Sequence, residues 1–312
     1  MLLKDFFEFV EIRTKFASII PFALGTVYSI YRFNHFNFTN FILLFISILT
    51  FDMATTAINN YCDYERILKK DNNNNDTIQL GLLKPSTALI IILLLMITAV
   101  SFGIILTVQT NYIVLLIGIV SFIAGILYSF GPVSISRMPL GELFSGVFMG
   151  FIIIFLSVYI HVYNLNIVSI TYINQIVTLK MNFTEIISIF LFSIPAMTSI
   201  ANIMLANNIC DVERDILFKR YTLPHYIGKK SALRLFCALY YLGYIAILLL
   251  ILLKIIPVIS LLIIFTIFPV NKNIITFSKN PIKSKTFILS VKNFIIINLP
   301  LIIFIEIAII TT

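Results

Sequence analysis

The octapeptide NNYCDYER at residues 59–66 returns at 207–214 as NNICDVER, with six of its eight residues unchanged. Each copy closes a long apolar run, in a chain where polar residues are scarce. Ahead of and within the first copy, Asp52, Thr56, Asn59 and Asp63 are spaced by four, three and four, which puts them on one face of a helix. In the second copy Asn208, Asp211 and Asp215 follow at spacings of three and four. Carboxylates at membrane depth are costly and mark functional sites. Two such acidic faces meeting at one membrane end would repel unless something cationic lay between them. Hard oxygen donors suit Mg²⁺, which takes one or two carboxylates and fills its other positions with water and phosphate oxygens. The basic residues Arg66, Lys69, Lys70, Lys84, Arg137, Lys219 and Arg220 would complement a polyanion held through that metal. An Asx residue at a helix end can also simply cap it, and Asp52 can bond across to another helix. Duplication of the motif, with basic residues beside both copies, favours the metal-polyanion reading.

Helices long enough to span a bilayer must position these residues. The chain has 312 residues, 60% hydrophobic and 12% charged, with a mean hydropathy of +1.03. That leaves too little polar surface for a soluble globule of this size. Nine apolar runs read as spans of a ~30 Å hydrocarbon core: about 14–32, 40–61, 86–108, 111–130, 140–161, 184–206, 231–252, 255–269 and 286–309, the eighth short and its ends set by Pro257 and Pro269. The N-terminal MLLKDFFEFVEIRTKF mixes acids with apolar residues and reads as an amphipathic lead-in, not a cleaved signal.

Lysine and arginine set the orientation, because cytoplasmic loops collect them. With a cytoplasmic N-terminus, that side holds Lys4, Arg13 and Lys15, then Arg66, Lys69, Lys70 and Lys84, then Arg137. It also holds Arg214, Lys219, Arg220, Lys229, Lys230 and Arg234, and finally Lys272, Lys279, Lys283, Lys285 and Lys292. These are 19 of the 22 basic residues, leaving Arg32, Lys180 and Lys254 outside. The net charge of +8 is thus a matter of topology, and no soluble basic patch for nucleic acid exists. Three cysteines are too few for a disulfide framework. Cys62 and Cys210 occupy matching places in the two octapeptides, as small packed residues.

Both octapeptides lie at the cytoplasmic ends of spans, the second and the sixth, four helices apart, and each is expected to open a polar loop. That is the signature of a parallel internal repeat. The loop after the first copy carries an Asn-rich tract containing Asp71, whereas the loop after the second, DILFKRYTLPHYIGKKSA, is richer in apolar residues. YSFGPVSISRMPLGE joins spans four and five through Gly131, Pro132, Pro139 and Gly141. Tyr128, just before that turn, is the tyrosine best placed for a site. The external stretch between spans five and six shows no chemistry.

These motifs resemble those of the UbiA superfamily of intramembrane aromatic prenyltransferases. NNYCDYER resembles the first aspartate-rich motif of that family, and NNICDVERDILFKRYTLPHYIGKKSA the second. The second, with YSFGPVSISRMPLGELFSG, is most similar to the branch that prenylates 1,4-dihydroxy-2-naphthoate. The first motif departs from the family pattern: Asn60 stands in an aspartate's place and Ile67 where many members have an acid.

The resemblance implies an all-α, polytopic, single-domain protein over residues 1–312, with two parallel repeats around a central cavity. It implies a polyprenyl diphosphate held through Mg²⁺ at the cytoplasmic mouth of a cell-membrane protein. The metal would lie among Asn59, Asn60, Asp63, Asn207, Asn208, Asp211 and Asp215, with the aspartates and Tyr128 serving catalysis. Arg66, Lys69, Lys70, Arg137, Lys219 and Arg220 would hold the diphosphate. The acceptor would be the naphthoate, prenylated with loss of CO₂ in menaquinone biosynthesis. Two rival readings stand beside this one: prenyl transfer to another acceptor, such as 4-hydroxybenzoate, a haem vinyl group or a glycerol phosphate lipid, and a secondary transporter. A transporter would place its charges near the midplane on broken helices, whereas here they cluster at one face.

Overall fold

The structure is a computed structural model that describes residues 3–70, 83–130, 134–217 and 220–311, with the side chains of 66–70 and 173 outside the description. Among the described residues nine helices are long and apolar enough to cross a membrane: Ile12–Phe33, Phe38–Glu65, Pro85–Gln109, Tyr112–Ser129, Gly141–Leu165, Phe183–Leu217, Lys229–Leu252, Val258–Lys279 and Ile288–Thr311. The chain divides into two compact units, one of Met1–Ile19 with Phe38–Ser134, the other of Ile20–Asn37 with Ile135–Thr312.

The first unit contains the lead helix α1 (Leu3–Phe9), the opening residues of α2 (Phe16–Phe33), and then α3 (Phe38–Lys70), α4 (Pro85–Gln109) and α5 (Tyr112–Ser129). The amphipathic lead-in is docked: Phe9 and Val10 are buried with Ala57, Leu83, Ala88 and Ile91. Pro85 begins α4, where its missing N–H has no intrahelical partner to lose. The Asn111 side chain caps α5 by accepting from the Ile113 amide at 3.1 Å. Ser47 donates to the Ala99 carbonyl at 2.9 Å and ties α3 to α4.

In the second unit, α6 (Gly141–Ser145) passes through a π-helical stretch, Gly146–Ile152, into α7 (Ile153–Val162). A hairpin of β1 (Val168–Ile173) and β2 (Ile176–Met181) then leads to α8 (Phe183–Leu217), α9 (Leu223–Ile227) and α10 (Lys229–Leu252). A 3₁₀ segment, Val258–Thr266, continues into α11 (Ile267–Lys279), and α12 (Ile288–Thr311) follows.

Close backbone approach fixes α8, which carries the second motif. A Cβ on Gly150 would lie 2.5 Å from Met197 Cα, so only glycine permits this contact. At the other end of α8, Arg32 pairs with Glu185 at 3.0 Å and Tyr28 stacks on Phe192 with ring centroids 4.5 Å apart. Asn202 donates to the Phe236 carbonyl at 2.9 Å and anchors α10 against α8.

Three features differ from the sequence expectation. Both octapeptides lie wholly inside helices, because α3 runs to Lys70 and α8 to Leu217, so neither opens a loop. The same three- and four-residue spacing that lines up their polar groups also keeps the helix going. The eighth span does not stop at Pro269. That proline falls in the first turn of α11, where it is tolerated, and the helix continues to Lys279. The stretch between spans five and six forms a hairpin whose turn residues, Asn174 and Gln175, take φ of 50° and 64°, the left-handed pair that suits a two-residue hairpin.

Candidate active site

In the first unit, helix phase gathers Asp52, Thr56, Asn59 and Asp63 along α3, but the deeper pair is already engaged. Lys15, 1% exposed, places its Nζ 2.8 Å from Asp52 Oδ1 and 2.6 Å from Thr56 Oγ1, and Ser18 donates to Asp52 Oδ2 at 2.6 Å. Asp52 and Thr56 therefore neutralise and orient a buried lysine, and the polar end of the face is left to Asn59 and Asp63, both half-buried. The Asn60 amide nitrogen donates to the Phe9 carbonyl at 3.0 Å and lies 3.4 Å from Glu11 Oε1, fastening the N-terminal segment to the motif. Its carboxamide oxygen is the atom through which it would meet a metal. Tyr128, half-buried, sits in the last turn of α5. The side chains of Arg66, Lys69 and Lys70, together with Asp71 and Lys219, lie outside the described residues.

In the second unit α8 presents two faces of the motif. On the buried one, Asn208 donates through Nδ2 to Glu142 Oε1 at 2.8 Å. Asn208 is fully buried, while Glu142 and Asp215 are each 5% exposed. Among the described residues Asn208 Oδ1, Asp215 Oδ2 and Glu142 Oε2 have no hydrogen-bond partner. On the more open face, Lys283 from the α11–α12 turn bonds both Asn207 Oδ1 and, at 2.5 Å, Asp211 Oδ2.

The segment after α8 folds back onto this end. Arg220 sets its Nε 3.6 Å from Asp215 Oδ1, donates from its backbone N–H to the Asp215 carbonyl at 2.8 Å, and donates from Nη2 to the Ser136 carbonyl at 3.1 Å. Tyr221 donates to the Arg137 carbonyl at 3.2 Å. The structure thus ties the segments carrying Arg137 and Arg220 together beside Asp215. Buried oxygens without a partner cost free energy unless something electropositive meets them. Asn208 Oδ1 and Asp215 Oδ2 are oxygen donors of the kind Mg²⁺ takes. Among the described residues no three His, Cys, Asp or Glu side chains form a ready-made cage.

The UbiA prenyltransferase family model matches residues 18–291. The chain belongs to the UbiA prenyltransferase family. It is therefore a multi-pass membrane enzyme that transfers prenyl groups. It is 31% identical over 232 residues to the 1,4-dihydroxy-2-naphthoate octaprenyltransferase of Bacillus subtilis, across 73% of this chain and 68% of the relative. A UbiA homologue from Aeropyrum pernix shares the fold with a TM-score of 0.67 at 17% identity, over 92% of this chain and 96% of that one. A UbiA homologue from Archaeoglobus fulgidus, solved with dimethylallyl diphosphate and Mg²⁺, matches with a TM-score of 0.58 at 14% identity over 99% of both chains.

For a UbiA enzyme, sequence reasoning missed three residues at this end. Lys283 was visible only as one basic loop residue, since its partners lie 72 and 76 positions away. Glu142 read as part of a turn segment, although an acid at the start of a membrane span is itself a signal. Lys15 counted toward topology. Asp52, a carboxylate in mid-span, is the sequence signal that a cation lies beside it.

Proposed function

We propose that this aromatic prenyltransferase moves a polyprenyl group from polyprenyl diphosphate to 1,4-dihydroxy-2-naphthoate with loss of CO₂, giving demethylmenaquinol, in a Mg²⁺-dependent reaction on the cytoplasmic side of the cell membrane. One observation carries the reading: two buried oxygens without partners, Asn208 Oδ1 and Asp215 Oδ2, lie on one helix with Asp211, and the Arg220 guanidinium stands beside the Asp215 carboxylate. The likeness to the Bacillus enzyme supports the acceptor, and the 19-to-3 distribution of basic residues supports the side.

In this reading Asn207, Asn208, Asp211 and Asp215, with Asn59, Asn60 and Asp63 of the first motif, hold Mg²⁺. When bound, the metal supplies Lewis-acid stabilisation of charge on the diphosphate. Arg220 and Arg137 take diphosphate oxygens, and the fork of Arg220 is braced for this by its bond to the Ser136 carbonyl. Arg66, Lys69, Lys70 and Lys219 add positive charge around the leaving group. The bond from the allylic carbon to the diphosphate oxygen breaks with its electron pair on oxygen. The electron-rich ring then forms the new C–C bond, and the carboxylate leaves as CO₂, returning its bonding pair to the ring. Tyr128 is assigned a catalytic role, and apolar helices keep water from the allylic cation.

The test is purified protein in detergent with Mg²⁺, a polyprenyl diphosphate and a panel of aromatic acceptors, read by product mass. The naphthoate should yield a product one CO₂ lighter than the simple adduct. Product from 4-hydroxybenzoate alone would overturn the acceptor. Impermeant thiol reagents applied outside intact cells should miss cysteines introduced at Arg137 and Arg220, and rapid labelling there would move the site to the other leaflet.

A further inference from the structure

Lys283 sits where a cation is wanted and is not part of either motif. It lies in the turn between α11 and α12, and Thr286 braces that turn by accepting from the Ile282 amide at 2.8 Å and donating to the Asn280 carbonyl at 2.8 Å. The ammonium bonds Asn207 Oδ1 and Asp211 Oδ2, an i, i+4 pair on α8, and lies 5.4 Å from the centroid of the Phe287 ring. Its partners are two of the oxygens assigned above to the metal. The contact joins two opposite charges within the second unit at a half-open position, the side chains of Lys283 and Asp211 being 46% and 19% exposed.

We propose that Lys283 is a stand-in cation: it holds the Asn207–Asp211 pair in the absence of metal, yields that place when a divalent ion enters, and turns its ammonium onto the diphosphate that arrives with the ion. The proposal rests on the reading of the second motif as a metal site. Three physical points support it. A single ammonium charge is outcompeted by a divalent ion for the same carboxylate. Lysine carries a compact charge on a flexible four-carbon stem, so it can exchange one anion for another a few ångströms away without moving the braced turn. Arg220 serves Asp215, so Lys283 is the cation that offsets Asp211 against its neighbouring acid, and a resident lysine keeps the helix end ordered between turnovers. Lys283 is thus a positioning and diphosphate-binding residue, whereas the matching place of the first motif, Asn59 and Asp63, lies in the unit whose buried lysine is committed deeper, to Asp52.

The experiment uses the full-length protein in detergent, with Mn²⁺ as the probe and free Mn²⁺ read by electron paramagnetic resonance. Without substrate, Lys283→Met should bind Mn²⁺ on the order of tenfold more tightly than the wild type, as expected when a competing charge is removed. Lys283→Arg should stay near the wild-type affinity. A second readout needs no variant: in the wild type, reductive methylation of Lys283, followed by mass spectrometry, should rise when Mn²⁺ is added and fall again when dimethylallyl diphosphate follows. Unchanged or weaker Mn²⁺ binding by Lys283→Met, or methylation indifferent to Mn²⁺, would overturn the role of Lys283 while leaving the metal site standing. Failure of both proteins to bind Mn²⁺, with and without the diphosphate, would overturn the metal reading and this inference with it.

Discussion

The two octapeptides keep the same internal frame and spend their charges differently. Asn60 and Asn208 hold equivalent places, and each turns its amide nitrogen toward a glutamate of its own unit, Glu11 just ahead of the span Ile12–Phe33 at 3.4 Å and Glu142 in the first turn of Gly141–Leu165 at 2.8 Å. Beyond that shared contact the halves diverge. The first has Ile67 where the second has Asp215, and its additional acid, Asp52, is sunk in the span and paired with Lys15. The second concentrates Asp211, Asp215 and Glu142 at one helix end, with Arg220 and Lys283 against them. A duplicated motif can therefore preserve the asparagine geometry that orients its helix while one copy is weighted toward anchoring and the other toward metal and diphosphate.

That contrast can be broken most severely at its anchor. Lys15→Met should destabilise the protein by about 3–5 kcal/mol, because it strands Asp52 without its counter-charge, and the Lys15→Met/Asp52→Leu pair should recover much of the loss. Denaturant or thermal unfolding in detergent checks both. A mild single variant would mean that Asp52 is solvated and that the first half is not anchored as described.

Next come the acids themselves. Asp215→Asn and Asp211→Asn should each slow turnover by a factor of ~10²–10³, the usual effect of removing one group that stabilises transition-state charge. Asp63→Asn should match them, since Asp63 is the one matched aspartate in its half. Steady-state rates on protein that has kept its fold decide this. Near-normal turnover by Asp215→Asn would erase the asymmetry.

The shared frame gives the smallest and most discriminating pair. Glu142→Ala leaves the buried Asn208 amide without its partner and should cost ~1–3 kcal/mol of stability. Glu11→Ala removes an exposed group at a long distance, leaves Asn60 bonded to the Phe9 carbonyl, and should cost no more than about 0.5 kcal/mol. Equal melting shifts would show that the two asparagines are held alike.

Much of this was legible in the sequence, for physical reasons that can be named. All nine spans follow from apolar run length, because a bilayer imposes a minimum on every helix. Helix phase places Asn208 and Asp215 on one buried face of α8, whereas Asp211 turns with Asn207 to the more open face, toward Lys283. What stayed hidden was set by packing across long sequence distances. Nothing local marks Lys283 as the partner of Asp211, and Lys15 and Asp52 are 37 positions apart. Pro269 misled because a proline ends a helix from its middle but is accommodated in a first turn, and a sequence does not say which of the two it will be. The hairpin at 168–181 was missed because its turn uses Asn174 and Gln175 where a glycine would have announced it.

The most direct measurement of the central claim is turnover of polyprenyl diphosphate and 1,4-dihydroxy-2-naphthoate by the wild type as Mg²⁺ is titrated from excess chelator to saturation, with Asp63→Asn and Asp211→Asn run alongside. Turnover absent in chelator, restored by Mg²⁺ or Mn²⁺, with Asp211→Asn needing the more metal of the two variants, is the predicted result. Full wild-type turnover in excess chelator would contradict it.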